Sequence, residues 1–235
     1  VGSSVNRGNF MTLDKNVVTV SDTALTVMNS SANQSINRQH SFNSPVLQAT
    51  SGKYLIYNLG GNGFKIEGSS DTIYSGNTSN NIIAGDIAGS GRYALVTETQ
   101  GYPSSLSVYL TDNTVQYKYD FSEYYVTDIS LNSDGTRAAV SGITAKDGGI
   151  VSAVYIFDFS NPEPISILTY NEVLMEKVEY MDNGTVAAIG DTTTSMINGT
   201  TGEKVDYNYQ SRQMTDYAID KNRVALALTP YDNQS

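Results

Sequence analysis

The stretch Val126-Thr-Asp-Ile-Ser-Leu-Asn-Ser-Asp-Gly135-Thr-Arg-Ala-Ala-Val140 decides the fold. Ile129 and Leu131 alternate with polar Asp128 and Ser130, the period of a half-buried strand. Asn-Ser-Asp-Gly then makes a turn, where glycine takes positive φ without steric cost. A second apolar run, Ala138-Ala-Val140, follows it. The unit is therefore strand, tight turn, strand.

Copies of this unit recur. Clear ones are Met175-Glu-Lys-Val-Glu-Tyr-Met-Asp-Asn-Gly184-Thr-Val-Ala-Ala-Ile189 and Ile83-Ala-Gly-Asp-Ile-Ala-Gly-Ser-Gly91-Arg-Tyr-Ala-Leu-Val96. Fainter ones run from Val46 to Ile56, from Met214 to Leu226 and from Phe10 to Val20. The turn residues Asn16, Gly52, Gly91, Gly135, Gly184 and Asn222 are spaced by 36, 39, 44, 49 and 38 residues. Those intervals bracket the roughly 40–45 residues of a four-stranded propeller blade. Room remains in each interval for two more strands, such as Leu106–Leu110 with Val115–Tyr119, and Ser152–Phe159 with Ile165–Tyr170. No window sustains a 3.6-residue period, so almost no helix is expected.

The predicted fold class is all-β: a single domain over residues 1–235, a β-propeller of four-stranded antiparallel blades with about five and a half blades present. A β-sandwich also has many short strands, but it gives no reason for a strand-turn-strand signature at blade-sized intervals. The sixth unit stops after its second strand, and residues 1–9 offer one short strand rather than two. We therefore expect a fragment of a 7- or 8-bladed ring, incomplete at the C-terminus, whose gene continues beyond Ser235. In that reading Ala225–Thr229 lies at an exposed edge or pairs with another molecule. Val224, Leu226 and Leu228 alternate with Ala225 and Ala227, so this strand is apolar on both faces and wants cover.

Composition removes whole classes of chemistry. With no cysteine, disulfides, cysteine-zinc sites, iron–sulfur clusters and thiol nucleophiles are excluded. With His40 as the only histidine, so is a multi-histidine metal centre. The net charge of −10 repels phosphate backbones and anionic membranes, so no nucleic-acid partner is expected. No stretch approaches the roughly 18 apolar residues needed to cross a bilayer. The absence of cysteine leans toward an extracytoplasmic bacterial protein. The chain starts Val1-Gly-Ser-Ser, with neither an initiating Met nor a signal-peptide pattern, and reads as a trimmed piece of something longer.

Residues 91–99 (Gly-Arg-Tyr-Ala-Leu-Val-Thr-Glu-Thr), Leu106-Ser-Val-Tyr109 and the 128–140 stretch form one continuous pattern. It resembles a family of WD-repeat-like propellers from gut Clostridia and related Firmicutes, best over residues 80–200. The resemblance implies an external propeller anchored in the membrane of a Gram-positive bacterium by an N-terminal helix, which would lie upstream of Val1. It implies no catalytic residues.

Several motifs invite chemistry. Asn132-Ser-Asp-Gly135-Thr looks like part of a calcium loop, but the twelfth position is Ile143 rather than a bidentate acid. It reads better as a turn in which Asn or Asp bonds its own backbone. His40 would have to serve any serine triad, yet no nucleophile elbow accompanies it, and it reads as an exposed polar residue of an outer strand. Gly60-Gly-Asn-Gly63 lacks the lysine and helix of a phosphate loop. Carboxylates are harder to set aside: Glu172, Glu176 and Glu179 approach or enter the innermost strand of the fifth repeat, while Asp128 and Asp216 hold matching places in the fourth and sixth. Acids at a channel mouth can act as general acid and base on a glycoside. Tryptophan, the usual stacking platform for a sugar or quinone, is absent, though Tyr102, Tyr124, Tyr125 and Tyr217 lie near expected loops.

The leading expectation is a non-catalytic binding domain that recognises a protein or cell-envelope ligand, without metal or cofactor. The binding residues expected are Glu98, Gln100, Tyr102, Tyr125, Asp128, Lys146, Asp147 and Asp216. They gather on the face carrying the long loops 97–105 and 142–149. A carbohydrate-active hydrolase and a ligand-free spacer are the alternatives.

Overall fold

The computed structural model describes residues 5–230. Among the described residues there is no helix; the chain forms five four-stranded antiparallel sheets followed by a hairpin. The first sheet is β1 (Val5–Leu13), β2 (Asn16–Ser21), β3 (Ala24–Met28) and β4 (Gln34–Gln39). The second is β5 (Pro45–Thr50), β6 (Lys53–Asn58), β7 (Gly63–Gly68) and β8 (Thr72–Asn77). In the third are β9 (Ile82–Ile87), β10 (Tyr93–Thr97), β11 (Ser104–Tyr109) and β12 (Val115–Phe121). The fourth holds β13 (Tyr125–Leu131), β14 (Arg137–Lys146), β15 (Gly149–Asp158) and β16 (Ser166–Asn171). The fifth holds β17 (Met175–Tyr180), β18 (Thr185–Gly190), β19 (Thr193–Asn198) and β20 (Lys204–Asn208). β21 (Met214–Asp220) and β22 (Arg223–Leu228) form the final hairpin. Within each sheet the strands run in sequence order, and the first strands of neighbouring sheets pack together. These are about five and a half blades of a propeller.

Turn chemistry follows the repeat. Gly52, Gly91, Gly135 and Gly184 all take positive φ between the first and second strands. The end copies differ from the sequence reading: positive φ falls on Asp14, Lys15 and Lys221, not on Asn16 or Asn222. Asx residues tolerate this conformation, and at 14–15 two successive positive φ values suit a two-residue hairpin. At the fourth turn, Asn132 Oδ1 accepts from the amides of Thr136 and Arg137, and Asp134 Oδ1 accepts from Thr136 N. The calcium-like motif is thus a capped turn.

Adjacent sheets pack through their second strands. Ala138, Ala139, Val140, Ala187, Ala188 and Ile189 are all fully buried. Ala138 and Val140 face the third sheet, Ala139 faces the fifth, and Ala187 faces the final hairpin. Small side chains at these points let neighbouring sheets approach closely. Ala139→Phe is expected to destabilise by about 1–3 kcal/mol through overpacking, and Ala138→Phe by a similar amount. Thermal melts of both variants that match the parent would refute this packing.

The final hairpin turns Tyr217, Ile219, Val224 and Leu226 onto Met181, Ala187 and Ile189 of the fifth sheet. Its opposite face, with Ala218, Ala225 and Ala227, is exposed. Among the described residues β22 pairs only with β21, and no strand of the first sheet reaches it. Residues 225–228 therefore lie at a sheet edge, as the sequence leads one to expect.

Candidate functional site

The face that carries the second-to-third-strand connections is dominated by one projection. β14 and β15 are 10 residues each, against 5 or 6 for the second and third strands of the other sheets. Residues 142–149, expected as a loop, instead continue the two strands to a turn at Asp147 and Gly148, both at positive φ. The sequence reading missed this because Ile143-Thr-Ala is a short alternation and Asp-Gly the standard turn signal that should end it late. Tyr125 lies opposite Ile143, and Ile150 opposite Ala145, on one face of the projection. Tyr125 is 61% exposed and Ile150 46%. Leu174, in the connection into β17, is also exposed. Beside its tip, Lys146, Asp147, Asn171 and Glu172 line an open polar depression.

The loop 98–103 of the third sheet contributes exposed Glu98, Gln100 and Tyr102 to the same face. Asn81 Nδ2 donates to Glu98 Oε2 at 2.9 Å, tying that loop down.

A second group of residues lines the innermost strands. β13, β17 and β21 each carry an irregularity near their start, between Val126 and Asp128, Met175 and Lys177, and Met214 and Asp216. Such bulges re-aim the side chain that follows, which puts Asp128, Lys177 and Asp216 at equivalent places. Lys177 Nζ lies 3.2 Å from Asp128 Oδ2 and 3.5 Å from Glu179 Oε2. Asp128 Oδ2 also accepts from Val178 N at 2.9 Å. One sheet back, Asp86 Oδ2 accepts from Leu131 N at 2.7 Å. These two carboxylates therefore staple β9 to β13 and β13 to β17. In the first sheet the amide of Asn9 does the same, accepting from Leu47 N and donating to Pro45 O. Asp216 Oδ1 accepts from Tyr217 N.

The electrostatics follow from this packing. Burial pushes the Asp86 carboxyl up to about 7 against the Leu131 hydrogen bond, with Glu179 adding repulsion and Lys177 opposing it. Burial pulls the Lys177 ammonium down, but Asp128, Glu179 and Asp86 outweigh it and hold the group above its usual value. Burial, then Asp128 and Asp86, raise the Tyr57 phenol. Among the described residues no group of three or more acids or histidines is arranged to hold a metal ion.

The expected residues thus divide. Tyr125, Lys146 and Asp147 join on the projection, Glu98, Gln100 and Tyr102 sit on the neighbouring loop, and Asp128 and Asp216 belong to the innermost strands. Asp86 and Lys177 were missed; spacing from the turn glycine was the available signal, with Asp86 five residues before Gly91 as Ser130 is before Gly135, and Lys177 seven before Gly184 as Asp128 is before Gly135. His40 departs from its expectation. It follows β4 half-buried, with Nε2 3.0 Å from Ser21 O and its ring stacked 5.4 Å from Phe42. Burial lowers its pKa.

Comparison with known proteins places the chain among propellers. A family model described as a family of unknown function, DUF5711, matches residues 2–235. A search of the curated proteins finds no match. Among solved structures, the fold is similar to KlHsv2 of Kluyveromyces lactis with loop 6CD replaced by a Gly-Ser linker (TM-score 0.68, 11% identity, covering 95% of this chain and 73% of that one). It is also similar to the Neurospora crassa Pan2 WD40 domain (TM-score 0.66, 10% identity, 93% and 71%). Kuenenia stuttgartiensis hydrazine synthase gives a TM-score of 0.59 at 10% identity, over 83% and 63%. At such identities the likeness concerns the fold alone.

Proposed function

From a chain that belongs to the DUF5711 family, of unknown function, and folds as a WD40-like propeller, we infer a non-catalytic binding domain that recognises a protein or cell-envelope ligand. The projecting β14–β15 hairpin carries the inference. Its exposed Ile150 shares one face with exposed Tyr125 of the adjoining β13, and charged Lys146 and Asp147 sit at its tip. Exposed aromatic and aliphatic side chains rimmed by charge are the usual make-up of a recognition surface. Glu98, Gln100 and Tyr102 extend that surface onto the third sheet, and Asp128 and Asp216 border it from the innermost strands. The resemblance over residues 80–200 and the absence of cysteine support an extracytoplasmic setting, on a membrane-anchored protein of a Gram-positive bacterium.

Cosedimentation with purified Gram-positive cell envelope tests this. The parent protein is expected in the pellet, and Tyr125→Ser/Ile150→Ser should weaken retention by roughly tenfold, as for loss of two central contacts. Equal retention of parent and variant, or no retention of either, would remove the hairpin as the recognition surface.

One observation favours the hydrolase reading: Asp86 holds its proton up to about pH 7, as a general acid must. Its carboxyl is nevertheless committed to Leu131 N between two strands. Release of reducing sugar from glycosides by the parent, abolished in Asp86→Asn, would establish that reading in place of the first.

A further inference from the structure

We propose that the outer groove between the second and third sheets is a carbohydrate-binding site that takes a short neutral oligosaccharide.

The face of the third sheet that looks toward the second changes character from inside to outside. Near the innermost strands it is apolar, where Tyr93 and Leu95 pack with Phe64 and Ile66 of β7. Farther out, Thr97 lies opposite Ser105, Ser105 opposite Asp120 and Ser107 opposite Lys118, so these side chains share the same face. The facing wall is the end of β8 and the connection after it, from Asn77 to Asn80. Between the walls runs a groove of about 420 Å³, within the range of small-molecule sites.

This seam differs from the others between complete sheets. Between the first and second sheets, Arg38 reaches Glu67 at 3.1 Å. Between the third and fourth, Tyr117 and Tyr119 close against Phe159 and Phe157, with ring centres 5.0 and 5.1 Å apart. Between the fourth and fifth, Lys204 Nζ lies 4.3 Å from the centre of the Tyr170 ring. Among the described residues, no hydrogen bond or ion pair joins the two walls of the groove. The side-chain amides of Asn77 and Asn80, the hydroxyls of Thr97, Ser107 and Tyr109 and the Lys118 ammonium bond to no other described residue. Ser105 Oγ donates to Asp120 Oδ1 at 2.6 Å, which leaves Oδ2 of the same carboxylate to accept from a ligand.

The chemistry of the lining selects the ligand. Donors and acceptors are mixed on both walls, as sugar hydroxyls, which both donate and accept, require. Tyr109 adds an aromatic surface for the C–H face of a pyranose, and Tyr93 stacks on its ring at 4.8 Å and fixes it in place. No aliphatic side chain lines the groove, whereas an extended peptide needs pockets for its alternate residues. Lys118 and Asp120 are the charged groups of the lining and cancel, so a phosphate polymer gains no net attraction. The groove is separate from the β14–β15 hairpin and owes none of its lining to it.

Titration of the isotope-labelled 235-residue chain with cellotriose, mannotriose, xylotriose and triacetylchitotriose, followed by NMR, tests this. At least one trisaccharide is expected to shift the signals of residues 77–80, 97–99, 105–109 and 118–120 saturably. Asn77→Ala/Lys118→Ala, at two exposed positions, should weaken that binding by roughly tenfold and leave the melting temperature unchanged. Tyr125→Ser/Ile150→Ser should bind the sugar as the parent does, which separates failure of the groove from failure of the hairpin. No saturable shift with any of the four sugars overturns the proposal. So do equal shifts with glycerol at the same hydroxyl concentration, shifts confined to residues outside the groove, or undiminished binding by the groove variant. Saturable binding of inorganic phosphate in place of the sugars would make the groove an anion site and overturns it too.

Discussion

Phe157→Ala is expected to cost about 3–5 kcal/mol of unfolding free energy, the range for truncating a buried aromatic without collapse of the site. Phe157 is fully buried on β15, where its ring neighbours Tyr117, Tyr119, Phe121, Tyr155 and Phe159. Three of those rings belong to β12 of the preceding sheet, so the phenyl group is the centre of the seam between the third and fourth sheets. Edge-to-face geometry adds to the area buried: the ring planes cross at 66° with Tyr117, 68° with Tyr119 and 88° with Phe121. Phe157→Leu keeps most of the volume and should lose less. Urea denaturation of the two variants measures the difference. A loss below about 1 kcal/mol for Phe157→Ala would mean that the seam closes around the cavity.

The second large effect is a dependence of stability on pH set by Asp86. Its folded-state pKa, raised to about 7, stands above the ordinary value of 3.8. The folded protein therefore binds more protons than the unfolded chain between these values, and stability falls as pH rises across that interval. The contribution is fully present below about pH 4 and lost above about pH 7, with a slope of at most about 1.4 kcal/mol per pH unit. His40 acts oppositely in part of the same window. Its folded pKa is lowered, so its contribution is present above 6.5 and lost as pH falls. Asp112, Asp134, Asp158 and Asp206 are held below 3.8, chiefly by hydrogen bonds from Thr, Ser and Lys side chains, and lose their contributions only in stronger acid. Asp86→Asn keeps an acceptor for Leu131 N and removes the titration. Denaturation at pH 5 and pH 7.5 should show the parent losing stability relative to Asp86→Asn at the higher pH. A constant difference between the two proteins would remove Asp86 as the source.

The architecture of this protein was legible in its sequence because it is written in short-range signals. The alternation at Ile129 and Leu131, the glycines at 52, 91, 135 and 184, and the apolar second strands are each satisfied within a few residues of backbone. Their recurrence at blade-sized intervals fixed the number of sheets and the incomplete sixth unit. The edge position of β22 followed from the same count. Expectations that needed longer range came out differently. His40 is half-buried against Ser21 and Phe42, which no property of its flanking residues foretells. Residues 142–146 remain strand because β14 keeps its partner β15 out to Lys146 and Gly149, leaving only Asp147 and Gly148 as the turn.

Tertiary structure alone decided which charges meet. Asp86 reaches Leu131, 45 residues away, and Asp128 reaches Val178, 50 away. Lys177 is drawn to Asp128 only because both follow a bulge at the start of adjacent innermost strands. Strand periodicity is a property of the backbone, read two residues at a time. The juxtaposition of carboxylate, ammonium and amide depends on how one sheet seats on the next, and that is set by the volumes of buried side chains such as Ala138, Ala139 and Ala187.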